Sequence, residues 1–383
     1  MLYTAIPSTY PRAGIYEYST VHVDLACATS GAKIYYTLDG SEPSMESPVY
    51  CRAQGLIPLP ALPDRETVYR IRAFAAAPGL ERSPEAEYTF HIIGRKRGRF
   101  LHQLLREPSE TSLGLIRIED FDLDKMFLVI GSRRAVLIDA GWDSDGDLPG
   151  LCRDLTGGLP VDLVITHGHP DHVAQIPRFL AAGGRVYMPY ADFAAASSFS
   201  LELPREKLLD IGSSNILDLG NGSLHVYTVP GHTPGGIVLL DQSTGDLFSS
   251  DAFGSNRRYV PDSAFLQLTD CSAEGCLYSL RAFRRETRGL LKRIYTGHND
   301  EISEAEKYLD CLEAALSKAV SSGSDALSPS LRSASESFGS STILAEGDWR
   351  LDPFWIAVNI RFLTEQDRTA DPPRWAKGYA LPA

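Results

Sequence analysis

Short segments in which apolar and polar residues alternate fill the first quarter of the chain. They lie at residues 21–26 (VHVDLA), 33–38 (KIYYTL), 67–75 (TVYRIRAFA) and 87–93 (EYTFHII). Asp39-Gly40, Pro78-Gly79 and the proline-rich IPLPALPD separate these segments, and such residues mark places where a strand reverses. Because no segment shows a helical period, the pattern predicts a small all-β sandwich over residues 1–94.

The pattern changes beyond the basic stretch GRKRGRF, which we interpret as a solvated linker over residues 95–104. Apolar strands then alternate with amphipathic helical segments, and we predict strands at residues 126–131, 135–141, 161–166, 225–229 and 293–297. This alternation predicts an α/β layered domain over residues 105–320. The serine-rich residues 321–341 are expected to form a loop, and residues 342–383 to return to the domain as strands or a hairpin.

The composition narrows the class of protein. The 383 residues suffice for two or three domains, and 43% hydrophobic with 22% charged residues is typical of a globular protein. The 37 basic and 49 acidic residues give a net charge of −12, which argues against a nucleic-acid partner. The sequence shows no run of about 18 apolar residues and no basic, apolar leader, so we expect no membrane association, no signal peptide and a cytoplasmic location. Six scattered cysteines favour reduced thiols, with a Cys27–Cys51 disulfide as the alternative.

The chemistry is concentrated in the stretch THGHPDH, residues 166–172, between the apolar strand VDLVIT and a segment with helical spacing. Ligand sites of α/β proteins lie at such strand-to-helix junctions. In an extended loop His167 and His169 point the same way, whereas Asp171 and His172 begin the helix and face a neighbouring point. The spacing therefore predicts one metal at the first pair and a second at the other. A capped helix start with incidental histidines is the structural alternative.

Further donors are needed, because a divalent ion held by nitrogen and oxygen requires three or more protein ligands. His232 in VPGHTPGG, Asp251 in SSDAFG and His298 in YTGHND each follow an apolar strand. Because carboxyl ends of strands share one edge of a sheet, we expect these side chains to join the first cluster. A turn histidine or a strand-end cap is the simpler interpretation of each taken singly.

Two family resemblances follow from these motifs. The stretch AKIYYTLDGSEPSMESPVY, with the later YRIRAFAAAPGLERS, resembles the immunoglobulin-like module of the chitobiase C-terminal type over roughly residues 5–93. Its role here is open between a spacer, a dimer surface that would make the chain a homodimer, and a wall of the substrate cleft. THGHPDH, followed in order by His232, Asp251 and His298, resembles the metallo-β-lactamase superfamily over roughly residues 105–315.

The second resemblance implies a four-layer αββα sandwich with a two-metal hydrolytic site. Carried onto this chain, it assigns metal 1 to His167, His169 and His232, metal 2 to Asp171, His172 and His298, and a bridging role to Asp251. Asp139 in LIDAG would orient a ligand histidine through its free ring N–H, or be a plain turn residue. The cofactors expected are two divalent metal ions, zinc first, with iron or manganese as alternatives.

The function that this implies is hydrolysis of an ester, thioester or lactone carbonyl in a small molecule. A hydroxide bridging both metals would attack the carbonyl, and Asp171 would handle a proton as the leaving group departs. Three side chains that follow Asp251 are candidates for an anionic substrate group, with a solvated loop as the alternative: Arg257, Arg258 and Tyr259.

Other activities remain open at this stage. No cysteine stands at a ligand position, which disfavours true β-lactamases, and His169 replaces the glutamate of the flavodiiron pattern. A mononuclear-iron sulfur dioxygenase, a phosphodiesterase and a catalytically inert binding protein are the alternatives. The remaining histidines are interpreted as structural or surface residues: His22, His91, His102 and His225.

Overall fold

The structure is a computed structural model that describes residues 3–18, 20–198, 203–254, 264–268, 271–299, 301–322, 348–349 and 352–358. Its chain divides into two compact units, Met1–Arg99 and Phe100–Ala383. Each unit is described by itself below.

The first unit is built from strands in two sheets. In chain order the strands are β1 (Ser8–Tyr10), β2 (Gly14–Glu17), β3 (Val21–Ala26), β4 (Lys33–Thr37), β5 (Ile57–Leu59), β6 (Glu66–Ala76) and β7 (Ala86–Ile93). One sheet has the order β1-β3-β5 and the other the order β2-β7-β6-β4. Alternate residues of β3, β5, β6 and β7 turn inward into one buried cluster that includes Val23, Leu59, Ile71 and Phe90. The predicted all-β sandwich is confirmed, because a sheet with one apolar face must bury it against another layer.

The second unit opens with a seven-stranded sheet and its covering helices. Its elements are β8 (Leu101–Arg106), β9 (Gly114–Glu119), β10 (Lys125–Ile130), β11 (Ala135–Ile138), α1 (Leu148–Leu155), β12 (Val161–Val164), α2 (Pro170–Val173), α3 (Ile176–Ala181), β13 (Val186–Tyr187), α4 (Phe193–Ser198) and β14 (Leu208–Leu209). The spatial order is β14-β13-β12-β11-β10-β9-β8. Strands β11 to β14 are parallel, whereas β8, β9, β10 and β11 pair antiparallel.

A five-stranded sheet follows. Its strands and the elements after it are β15 (Ile216–Asp218), β16 (Ser223–Thr228), β17 (Ile237–Asp241), β18 (Asp246–Ser250), β19 (Ala264–Leu268), α5 (Ala273–Thr287), β20 (Arg293–Thr296), α6 (Ala305–Ser322), β21 (Asp348–Trp349) and β22 (Asp352–Val358). The order in the sheet is β15-β16-β17-β18-β20, with β18 and β20 parallel. Strands β21 and β22 form an antiparallel pair, and β22 lies parallel to β19.

The cores show how the two sheets are layered. Val136 and Ile138 of β11 face Leu239 of β17 and Phe248 of β18 in a cluster between the sheets. The intervening Leu137 packs instead with residues of α1 and α3 on the outer face of the seven-stranded sheet. The outer face of the five-stranded sheet packs in the same way against α5 and α6. Because side chains alternate between the two faces of a strand, these clusters define the four αββα layers that the second resemblance implied.

Some boundaries differ in detail from the expectations. Strand β8 begins at Leu101, inside the segment 95–104 interpreted as a linker, and pairs with β9. Most of the serine-rich segment 321–341 lies outside the described residues. Cys27 and Cys51 are both free thiols. Within the part of the chain that the structure describes, no helix combines the length and apolar character needed to cross a bilayer.

Candidate metal centre

The stretch THGHPDH is split by the start of a helix. His169 is the extended residue before α2, with φ −76° and ψ 153°, and Pro170 occupies the first turn. Proline suits this position because its missing N–H would have no partner there. Asp171 and His172 therefore lie on the helix, whereas His167 and His169 precede it. Because the chain changes from extended to helical between the two pairs, His167 and His169 lie at one position and Asp171 and His172 at a neighbouring one.

The first half of the cluster is a trio of imidazoles. His169 Nδ1 lies 3.1 Å from His167 Nε2 and 2.9 Å from His232 Nε2. His232 comes from the loop between β16 and β17, so the trio joins the two sheets. Three ring nitrogens that face one another repel through their lone pairs unless a proton or a cation lies among them.

The second half of the cluster is rich in carboxylates. His298 Nε2 lies 3.3 Å from Asp171 Oδ2 and 3.2 Å from Asp251 Oδ2. The same Asp251 oxygen lies 3.8 Å from Nε2 of both His172 and His232. Asp251 thus faces both halves of the cluster, which is the placement that a bridging ligand requires.

Carboxylates outside the cluster hold two of its rings. His172 Nδ1 donates to Asp139 Oδ2 at 3.0 Å, and Ser250 Oγ donates to the same oxygen at 2.7 Å. On the other side, His298 Nδ1 donates to Asp124 Oδ1 at 2.9 Å. Each contact fixes the tautomer and leaves Nε2 directed into the cluster, as outer partners of metal-binding histidines do.

The two halves differ in their protonation. Burial, with the neighbouring His232, lowers the pKa of His169 to about 3, and burial also lowers the pKa of His167. Burial opposes charge on His172 as well, but the carboxylates of Asp171 and Asp139 raise its pKa to about 10. The trio thus offers neutral nitrogen donors, whereas the carboxylate half attracts positive charge.

These residues fit divalent metal ions. Three groups of donor atoms each converge to within 4.8 Å: His167 with His169 and His232, His167 with His172 and Asp251, and Asp171 with His172 and His298. Nε2 of His172 is fully buried and has no hydrogen-bond partner. A buried donor or acceptor left unpaired is costly, and a metal ion at this point would remove that cost.

Backbone hydrogen bonds link the edges of both sheets beside the cluster. Ile237 N–H donates to Thr166 O at 3.0 Å, and Lys125 N–H donates to Gly297 O at 2.7 Å. A Cβ at Gly297 would lie 2.4 Å from Asp251 Oδ1 and 3.0 Å from Cε1 of His172, so a larger residue there would displace these side chains. The ligand loops therefore lie beside strand ends that backbone hydrogen bonds join across the two sheets.

The structure brings all the candidate ligands together, and Asp139 beside them. Arg257, Arg258 and Tyr259 lie outside the described residues. Of the other histidines, His22 and His102 are exposed, His91 contacts Glu66 and His225 lies within strand β16.

Sequence reasoning missed two buried carboxylates near the cluster. Asp124 precedes β10, which is antiparallel to β11, so the start of β10 lies at the edge where β11 ends. Asp192 ends a short 3-10 turn after β13, a parallel strand. The rule that placed His232 and Asp251 at strand ends could have found Asp192, whereas Asp124 required the pairing direction of β10.

The second unit thus combines four αββα layers with a cluster of histidines and aspartates that could hold metal ions. Residues 125–298 match the family model of the metallo-beta-lactamase superfamily, and residues 11–84 match that of the chitobiase/beta-hexosaminidase C-terminal domain. The chain therefore carries a metallo-beta-lactamase superfamily domain preceded by a chitobiase-type domain, and both resemblances are confirmed.

Individual relatives are distant. A putative diflavin flavoprotein A 1 from Nostoc sp. is 27% identical over 231 residues, which cover 52% of this chain and 39% of that protein. The chain thus matches well under half the length of this relative. Among solved structures, a metallo-beta-lactamase from Pontibacter korlensis is 15% identical, with a TM-score of 0.43 over 56% of this chain and 99% of that one. A metallo-beta-lactamase family protein from Thermus thermophilus is 20% identical, with a TM-score of 0.40 over 58% and 81%.

Proposed function

We propose that the second unit is a metal-dependent hydrolase acting on an ester, thioester or lactone carbonyl of a small molecule. One observation carries the proposal: imidazole nitrogens and carboxylate oxygens from separate loops lie within 4.8 Å of one another in overlapping groups of three. The family match supports the class of reaction, and the acidic charge of the chain supports a substrate other than nucleic acid.

The residues divide into two metal sites. His167, His169 and His232 would hold one ion, and Asp171, His172 and His298 the other, with Asp251 between them. When bound, two such ions lower the pKa of a coordinated water toward neutrality and polarise a carbonyl oxygen. Zinc is our first choice of metal, since its ligands in proteins are nitrogen and carboxylate oxygen donors of this kind.

The protein side chains supply orientation and proton transfer. Asp139 and Asp124 hold the rings of His172 and His298, so that Nε2 of each stays directed inward. Among the carboxylates of the cluster Asp171 is the more open, with 24% of its side chain exposed against 11% for Asp251. A substrate can therefore reach Asp171, which we assign to proton transfer when the leaving group departs.

The test combines elemental analysis with a substrate panel. Purified full-length protein loaded with Zn²⁺, Fe²⁺ or Mn²⁺ is assayed on aryl esters, thioesters, lactones and a phosphodiester. We expect two metals per chain and carbonyl hydrolysis that His232→Ala abolishes. His225→Ala is the matched control, because this half-buried histidine lies on β16, the strand that leads to His232. Phosphodiester cleavage alone, or turnover unchanged in His232→Ala, would contradict the proposal.

A redox function is the second candidate, and the Nostoc flavoprotein relative is the observation that favours it. The test is whether the purified protein contains iron and consumes oxygen in the presence of a reduced flavin. Iron with flavin-dependent oxygen uptake and no carbonyl hydrolysis would select this function. His169, where the flavodiiron pattern has glutamate, speaks against it.

A further inference from the structure

One buried carboxylate contacts both loops that carry the imidazole trio. The first histidine loop is residues 166–169, and the second is residues 229–236. Gly168 N–H donates to Asp192 Oδ2 at 3.0 Å, and Gly235 N–H donates to Asp192 Oδ1 at 2.6 Å. The two oxygens of a single side chain therefore bind the two loops, one each.

Two glycines make this approach possible. A Cβ on Gly168 would lie 2.6 Å from the backbone oxygen of Asp192, and one on Gly235 would lie 2.7 Å from Oδ1. Neither glycine has the positive φ that only glycine adopts readily. The lack of a side chain at these positions is thus explained by the closeness of Asp192 and not by backbone conformation.

Stability alone is a weak reason for a carboxylate at this position. Asp192 is 1% exposed, and burying a carboxylate is costly even when N–H groups bind it. Gly168 lies between His167 and His169, and Gly235 lies three residues after His232. Asp192 therefore binds the backbone within three residues of each of the three imidazoles.

We propose that Asp192 is a positioning residue that ties the two histidine loops together and so sets the geometry of His167, His169 and His232 for a metal ion. The inference rests on the metal site proposed above. Carboxylates that act behind the ligands of a metal site commonly contribute 10-fold to 100-fold, roughly, to its metal affinity. Here the carboxylate acts on the backbone of the ligand loops and touches no imidazole nitrogen of the trio in the described hydrogen bonds.

The experiment measures metal affinity in Asp192→Asn. Full-length wild-type and variant proteins are stripped of metal and titrated with Zn²⁺ against a chromophoric chelator. The amide nitrogen cannot accept a hydrogen bond, so one loop contact is lost while the shape of the side chain is kept. We expect the affinity of one of the two Zn²⁺ steps to fall roughly 10-fold to 100-fold and the other step to change little.

Asp162→Asn is the matched control. Asp162 is 4% exposed and pairs with Arg185 at 2.8 Å near the start of β12, the strand that leads into the first histidine loop. This variant is expected to lower the melting temperature and to leave both Zn²⁺ steps at wild-type affinity. A structural role for Asp192 would instead give the two variants the same result.

Gly235→Ala is a second variant that tests the same contact, and it can be used if Asp192→Asn fails to fold. Its Cβ displaces the Asp192 carboxylate without removing it, so the same Zn²⁺ step should weaken. Wild-type Zn²⁺ affinity in Asp192→Asn or in Gly235→Ala, or an equal loss in Asp162→Asn, would overturn the positioning role. A wild-type protein that binds no Zn²⁺ would instead contradict the metal site itself, which separates the two failures.

Discussion

Replacing Asp124 tests whether the carboxylate that binds His298 Nδ1 supports the proposed metal centre. His298 Nδ1 donates to Asp124 Oδ1 at 2.9 Å, and the two side chains are 10% and 3% exposed. A hydrogen bond to a charged group contributes about 1.5–3 kcal/mol, and about 1.4 kcal/mol corresponds to a factor of ten. Asp124→Ala should therefore weaken metal binding at the carboxylate half by roughly 10-fold to 100-fold.

A more conservative substitution, Asp124→Asn, should give a smaller loss of metal affinity. Asp124→Asn keeps an acceptor oxygen but loses its charge, and a neutral hydrogen bond contributes only about 0.5–1.5 kcal/mol. We expect a loss of metal affinity of roughly fivefold, between wild type and Asp124→Ala. The assay is competition with a chromophoric chelator, with thermal melts to confirm folding.

Asp246→Asn is the control for these variants. Asp246 is fully buried and accepts from Arg293 Nε at 2.7 Å at the start of β18, the end of that strand away from Asp251. The Asp246→Asn variant should have a lower melting temperature than the wild type and the same metal affinity. If Asp124→Ala binds metal as tightly as the wild type, the argument that the His298 ring is held from behind is wrong.

Three further outcomes are expected. Asp251→Ala should lower the occupancy of both metal sites together, because its oxygen faces both halves of the cluster; two metals per chain by elemental analysis would contradict the bridging role. Metal affinity should rise with pH between about pH 6 and 8, because the raised pKa values of His172 and His298 make metal entry displace protons there. An affinity that stays flat over this range in chelator competition would show that no protons are displaced. Burial raises the pKa of Cys276 to about 12, so iodoacetamide should label the exposed Cys51 of native protein and spare Cys276 until urea is added. Equal labelling of the two thiols by mass spectrometry would contradict the burial of Cys276.

Much of the fold follows from local pattern. The strand predicted at 21–26 is β3 without change, and that predicted at 161–166 differs from β12 only at its end. Strand β10 is buried on both faces and appears as the continuous apolar run MFLVI. Because an apolar run of this length is needed wherever both faces of a strand are covered, such central strands are evident from the order of residues alone.

Only part of the candidate site could be predicted from the sequence. THGHPDH is compact, so its spacing alone indicates which donors lie together. His232, Asp251 and His298 were predicted to join it from their places after strands, and the structure brings them there. Asp124 was not predicted because it precedes a strand. Only the antiparallel pairing of β10 with β11 brings it to the sheet edge where the candidate ligands lie.

The sequence by itself determined the kinds of donor atom, their order along the chain and the alternation that sorts each strand between two cores. These are local properties, since side-chain chemistry and the period of a strand need no distant partner. Only the tertiary structure decided which oxygen of Asp251 faces which imidazole, and that Asp192 touches both histidine loops. Those contacts join residues 24 to 79 positions apart, and they depend on strand order and direction, which local pattern does not encode.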